Sequence, residues 1–281
     1  MPSGGWIGQR ANNMRKLSAT ALSTFLRSPK KFYWQYVYKG VGLEPLAQSV
    51  TTYDHDKLFG VIWASFTDRF YKGMGEVENT SIAVKSWAED TQGWVPYKTQ
   101  QSYEKILIAL ATDYYTQFSP TDGARTSEQS EMKVEDDLLL GFLDGLSADG
   151  VIHEVKSTSR SQRLDDQLWK FQQSIQAKVY LALAETNKIR FEFAYKDAPV
   201  QTQRMQTVEF PSEKVAGWAK GIRKLAEVIY SLGDDPDNYV CAGDSCSIVS
   251  KRWSGMCPFQ ALCEGLEGAE SLYQLRKERK R

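Results

Sequence analysis

The chain has 281 residues, with 35 Lys and Arg against 35 Asp and Glu and a hydrophobic share of 42%. That length suffices for one large domain or two small ones with a real core, and the balanced charge excludes a protein that coats nucleic acid with uniform positive charge. No apolar run approaches the ~18–20 residues of a membrane helix, and the opening MPSGGWIGQRANNMRK lacks the apolar segment of a secretory signal; a cytoplasmic location without a membrane partner is expected.

Apolar spacing predicts a first helix from Leu17, capped by Ser18 or Thr20, with Leu22, Phe25 and Leu26 on one face. Pro29 opens a further turn carrying Phe32, Tyr33, Tyr36 and Tyr38. Helices are predicted over residues 56–73, 80–91 and 101–118, ahead of the polar, turn-rich loop Ser119–Ser130. The period then changes. Met132–Val134, Leu138–Leu143 and Val151–Val155 read as strands, the last two forming an antiparallel pair through DGLSADG. One long helix is predicted from Asp165 to Glu185, then strands at Ile189–Tyr195 and Met205–Phe210, then a helix from Ser212 to Ser231. This order predicts an α+β fold with an α/β core, a mixed central sheet flanked by helices. A helical N-terminal region (1–125), a core (126–235) and a cysteine segment with a basic tail (236–281) would together form one integrated domain.

The stretch GFLDGLSADGVIHEVKS, residues 141–157, carries the chemistry. Side chains alternate along a strand, so Glu154 and Lys156 share a face, and the hairpin brings Asp144 beside Glu154. Paired carboxylates hold Mg²⁺ or Mn²⁺ through hard oxygens. Such an ion lowers the pKa of a bound water and offsets charge on a phosphate, while Lys156 orients or helps deprotonate that water and stabilises the transition state. In the helix that follows, Gln172, Gln176 and Tyr180 are spaced one turn apart beside the apolar row Leu168, Phe171, Ile175 and Val179, a stripe suited to DNA backbone or to holding a lysine. An ordinary cross-strand ion pair and a plain amphipathic helix are the bland alternatives.

All four cysteines fall within Cys241-x4-Cys246-x10-Cys257-x5-Cys263. Clustering of this kind in a cytosolic chain points to metal. Four thiolates suit a [4Fe–4S] cluster or a structural Zn²⁺ equally well in number. Phe32, Tyr33, Trp34 and Tyr36, beside Lys30 and Lys31, offer base stacking and phosphate contact to single-stranded DNA, with a packed core as the alternative. The tail Arg276–Arg281 is a further basic segment within reach of phosphate.

Gly141-Phe142-Leu143-Asp144, Glu154-Val155-Lys156 and Gln176-Ala177-Lys178-Val179-Tyr180 resemble, in order, the G-x-x-D, D/E-x-K and Q-x-x-x-Y motifs of RecB-like PD-(D/E)xK nucleases. LSATALSTFLRSPKKFYWQY, residues 17–36, resembles that group's opening motif, and CPFQALC, residues 257–263, resembles its iron–sulfur signature. The resemblance implies a restriction-endonuclease-like core and Mg²⁺- or Mn²⁺-dependent DNA cleavage. It implies metal ligation by Asp144, Glu154 and the Val155 carbonyl, a catalytic Lys156, support from Gln176 and Tyr180, and a [4Fe–4S] cluster.

Two positions depart from the pattern. In Gly60–Asp68, Ala64 stands at the family's metal-binding histidine and cannot ligate. Asp68, one turn on along the same face, offers an oxygen instead. His153 faces away from Glu154 and Lys156 by strand alternation. Ser28 stands where the iron–sulfur members carry their first cysteine, and Cys241 is the candidate for the fourth ligand in its place.

The function expected is a DNA exonuclease acting on single strands or duplex ends in recombination, repair, CRISPR adaptation or phage DNA processing, with protein partners in such a complex. The alternatives are a catalytically weakened member that binds DNA or a partner, and a zinc-stapled interaction protein.

Overall fold

The computed structural model describes residues 15–45, 52–93, 95–120, 130–158, 164–240, 259–263 and 266–276. In chain order these form β1 (Leu17–Ser18), α1 (Ala19–Arg27), α2 (Pro29–Phe32), β2 (Leu43–Pro45), α3 (Thr52–Tyr71), α4 (Glu76–Thr91) and α5 (Tyr97–Gln117). Then come β3 (Ser130–Glu135), β4 (Leu139–Leu146), β5 (Val151–Thr158), α6 (Leu164–Gln172), α7 (Ile175–Leu183), β6 (Lys188–Tyr195), β7 (Gln201–Arg204), β8 (Val208–Glu209), α8 (Ser212–Leu232), α9 (Gln260–Cys263) and β9 (Tyr273–Leu275). No described helix is long and apolar enough to cross a membrane.

The chain divides into two compact units that interleave in sequence: residues 1–49, 135–140 and 220–281 in one, and 50–134 and 141–219 in the other. In the first unit β1 lies parallel to the start of β4, Leu17 opposite Leu139, and β2 pairs antiparallel with β9. The first helix starts two residues later than the apolar spacing predicts, because Leu17 donates its N–H to the Leu138 carbonyl at 2.9 Å. Ser18 is the cap, its hydroxyl accepting from Ala21 N–H at 3.2 Å. The aromatic run after Pro29 is largely interior: Phe32 is 0% and Tyr33 5% exposed. Phe32 stacks on Tyr239 with centroids 6.2 Å apart. These two rings belong to the core, not to a base-stacking surface.

In the second unit β4 and β5 are antiparallel, β5 and β6 parallel, and β7 and β8 each antiparallel to β6. The sheet is therefore mixed, as expected. One of its faces rests on α3, α4 and α5. There Phe59, Trp63, Phe66, Phe70, Trp87, Leu107 and Tyr114 join Val155 of β5 in one core cluster. Each large side chain removed from water in this way contributes about 1.5–3 kcal/mol.

Three local expectations are corrected. The single helix over 165–185 is two helices, because Ser174 is extended and caps α7, accepting from Ala177 N–H at 3.1 Å. A serine hydroxyl at this point competes with helix continuation. The strand predicted over Met205–Phe210 is replaced by the short β7 and β8, in register with Glu192 and Ile189 of β6 respectively. The polar run QTQR forms β7 because its partner strand and the Arg204–Glu192 ion pair at 3.2 Å outweigh low strand propensity. β5 runs on past Val155 to Thr158, so Lys156 lies within the strand.

Candidate active site

Alternation along β5 separates two environments. Val155 and Ser157 meet α3: Val155 is part of the aromatic core cluster, and a Cβ added at Gly60 would lie 3.3 Å from Ser157 Oγ. Glu154 and Lys156 point to the opposite face, which α6 and α7 cover. There Lys156 Nζ donates to Glu154 Oε1 and, at 2.9 Å, to Gln176 Oε1. Gln176 Nε2 in turn donates to Glu154 Oε1 at 2.8 Å and to the Tyr180 hydroxyl at 3.0 Å. One turn of α7 separates Gln176 from Tyr180, so one helix face delivers both groups.

Asp144 enters from β4. The paired registers Leu146↔Ile152 and Gly145↔His153 place Asp144 next in line, opposite Glu154. Its carboxylate, rather than a main-chain carbonyl, accepts the Val155 N–H at 2.8 Å. The side chain thus takes over a ladder hydrogen bond and fixes itself beside β5.

Burial works against charge on Lys156, yet the Glu154 and Asp144 carboxylates outweigh it and hold the lysine above its ordinary pKa. Lys156 is therefore held as an ammonium. Its Nζ also lies 5.6 Å from the Phe171 ring centroid, and Phe171 packs on Phe193 at 5.7 Å. Tyr180 is pushed above the ordinary tyrosine range, by burial first and by Glu154 second. Its phenol stays protonated.

Two residues here have roles that the sequence alone does not show. At Gly141, a Cβ would meet the Tyr180 ring at 3.0 and 3.1 Å and Val134 Cγ2 at 3.3 Å. The glycine of the G-x-x-D motif thus makes room for the tyrosine that supports Gln176. Phe171 is legible in the sequence only as part of an apolar row; its place beside the lysine depends on the break at Ser174.

The structure gathers Asp144, Glu154, Val155, Lys156, Gln176 and Tyr180. It does not gather the other predicted residues with them. Gln172 ends α6, before the break, so it does not continue the Gln176–Tyr180 row. Asp68 belongs to α3, against the other face of β5, and its Oδ2 is held by Lys72 at 2.8 Å. Lys30 and Lys31 belong to the first unit, where Lys30 Nζ donates to the Pro236 carbonyl at 2.7 Å. His153, as expected, faces away from Lys156, 3.5 Å from Glu192.

Among the described residues no three His, Cys, Asp or Glu side chains gather as a ligand set. Asp144 and Glu154 on one strand face, with the Val155 carbonyl between Glu154 and Lys156, still make a donor set of hard oxygens that fits Mg²⁺ or Mn²⁺. Cys241, Cys246 and Cys257 lie outside the described residues. Cys263, the last residue of α9, is half-buried and packs against a small cluster of Leu43, Phe259, Leu262 and Ala269.

No curated protein matches the chain. A solved structure of a candidate exonuclease from Eubacterium rectale aligns over 82% of this chain and 87% of its own, at 10% identity and a TM-score of 0.45. A family model described as the PD-(D/E)XK nuclease superfamily matches residues 16–264, a span that holds both the β4–β5 pair and the helix carrying Gln176. This chain belongs to the PD-(D/E)XK nuclease superfamily.

Proposed function

We propose that this nuclease is a metal-dependent DNA exonuclease of the RecB-like branch, acting on single strands or duplex ends in recombination, repair or phage DNA processing. The observation that supports the reading best is the joined set on one sheet face: Asp144 on the Val155 amide, and Glu154, Gln176 and Tyr180 around Lys156. Asp144, Glu154 and the Val155 carbonyl would hold Mg²⁺ or Mn²⁺, which when bound supplies an acidified water and offsets phosphate charge. Lys156 presents a fixed ammonium to the phosphate, where a charge in place before reaction needs no reorganisation. Gln176 holds Lys156 and Glu154 in one geometry, and Tyr180 holds Gln176. Four cysteines, Cys241, Cys246, Cys257 and Cys263, would bind a [4Fe–4S] cluster, with structural Zn²⁺ as the alternative.

Ala64 favours a second reading, a weakened family member that binds DNA or a protein partner, since its methyl cannot replace a histidine ligand. The deciding experiment is cleavage of linear and circular, single- and double-stranded DNA with Mg²⁺ or Mn²⁺. Release of nucleotides from linear but not circular DNA is expected. DNA binding without cleavage under either metal would overturn the exonuclease in favour of the second reading. The visible spectrum of anaerobically purified protein separates iron–sulfur from zinc.

A further inference from the structure

We infer that Lys178, Lys214 and Trp218 form a surface clamp for the phosphate backbone of the DNA strand, beyond the catalytic residues; this rests on the nuclease reading above. Lys178 Nζ lies 5.3 Å and Lys214 Nζ 5.2 Å from the centroid of the same Trp218 ring. Lys214 Nζ also stands 5.9 Å from the Phe210 ring, which itself packs edge-on against Trp218 at 5.0 Å. Neither lysine forms an ion pair with a described carboxylate. Two ammoniums thus lie against one indole, and no described carboxylate pairs with either.

The ring accounts for part of this arrangement. An ammonium over an indole gains about 0.5–1 kcal/mol at an exposed site. The two like charges gain nothing from each other, and a polyanionic strand passing the ring would be attracted to both. Phosphate is the anion a nuclease meets. The surroundings leave room for a strand: Lys214 is exposed, and one turn further along α8 a Cβ at Gly217 would meet nothing within 4 Å. Glycine inside a helix costs roughly 0.5–1 kcal/mol relative to alanine, and packing does not require it here. The bare turn lets a sugar–phosphate backbone come close.

Lys178 is two residues from Gln176 on the same short helix, so it projects away from the face that carries Gln176 and Tyr180. A strand cleaved beside Lys156 and held at Lys178 and Lys214 would have its backbone gripped on a surface that takes no part in the reaction. The protein carries no net charge, so local pairs of unneutralised cations have to supply the backbone attraction.

The test is equilibrium binding of a fluorescein-labelled 30-nucleotide single strand, and of a duplex of the same length, with Ca²⁺ in place of Mg²⁺ over a series of salt concentrations. Lys178→Gln/Lys214→Gln is expected to bind about 10-fold more weakly, with a salt slope shallower by roughly one for each phosphate no longer neutralised. Lys178→Arg/Lys214→Arg should keep affinity near wild type. If the Gln pair loses packing on Trp218 and melts early, Lys214→Gln alone, at the exposed end, should still show weaker affinity and a shallower slope. Wild-type affinity and slope in the Gln variants would overturn the clamp while leaving the nuclease reading intact. Failure of the wild type to bind either DNA would overturn both.

Discussion

The two faces of β5 both carry ionisable side chains, and they are built to opposite ends. On one face His153 is 0% and Glu192 of the neighbouring β6 is 2% exposed. Glu192 takes the Tyr114 hydroxyl at 2.6 Å, the Tyr71 hydroxyl at 3.3 Å and Arg204 Nε at 3.2 Å. Arg204 lies 4.1 Å from the Phe118 ring centroid, and its charge is held by Glu192 against the opposing effect of burial. On the other face Glu154 is buried to the same degree, at 3%, but the Lys156 side chain bonded to it keeps 21% exposure, and Asp144 and Gln176 beside it are half-buried. Glu192, bonded to Tyr71, Tyr114 and Arg204, ties β6 to β7 and to the helices on that face. Glu154 is bonded instead to a lysine that keeps an opening to solvent. Neither side-chain type nor burial of the carboxylate separates the two faces; the groups bonded to it do.

This contrast is broken first at Glu192. Glu192→Ala leaves Arg204 buried without its carboxylate, and unfolding in denaturant should show a loss of about 3–5 kcal/mol. Replacing both members together, Glu192→Leu with Arg204→Met, should cost far less, since an apolar pair needs no compensating charge. Equal losses in the single and the double variant would mean that the pair is not what stabilises this face.

Lys156 shows the reverse pattern. Lys156→Ala is expected to lower the cleavage rate ~10²-fold while changing DNA affinity little, because one phosphate contact among many is a small part of binding. Lys156→Arg should recover only part of the rate, since a planar fork does not reproduce a compact ammonium held by Glu154 and Gln176. Cleavage at the wild-type rate in Lys156→Ala would remove the site from the chemistry.

A smaller effect is expected at Gly141. The added methyl of Gly141→Ala meets the Tyr180 ring, and overpacking of this kind costs about 1–3 kcal/mol. Displacement of Tyr180 should also slow cleavage, through Gln176. Adding Tyr180→Leu to Gly141→Ala should recover stability and not rate, and recovery of both would show that Tyr180 matters for packing alone.

The two aspartates separate by their response to metal, and Asp68 carries the smallest effect of all. Mn²⁺ should stabilise wild-type protein by about 2.7 kcal/mol at a hundredfold excess over its dissociation constant, read as a higher melting temperature, and Asp144→Ala should abolish that gain. Asp68→Ala should keep it and lose only the exposed pair with Lys72, about 0.3–0.5 kcal/mol. Loss of the Mn²⁺ gain in Asp68→Ala would make Asp68 a ligand after all.

The amino-acid order determined the hairpin and its registry of function: a period of two places Glu154 and Lys156 together and His153 opposite, whatever surrounds them. It also determined the row of Gln176 and Tyr180, because a helical turn is local geometry. Tertiary structure decided the rest. The Gly141 requirement depends on a ring arriving from α7, 39 positions away in the chain. Strand β7 depends on a partner strand and a buried ion pair, which no propensity of QTQR announces. The break at Ser174 set a hydroxyl's hydrogen bond against an apolar period that runs straight through it, and the hydroxyl won. Local periodicity fixes which way a side chain points; what it meets there is fixed only by segments brought from elsewhere in the chain, because contact energies between distant residues leave no mark on the spacing of either.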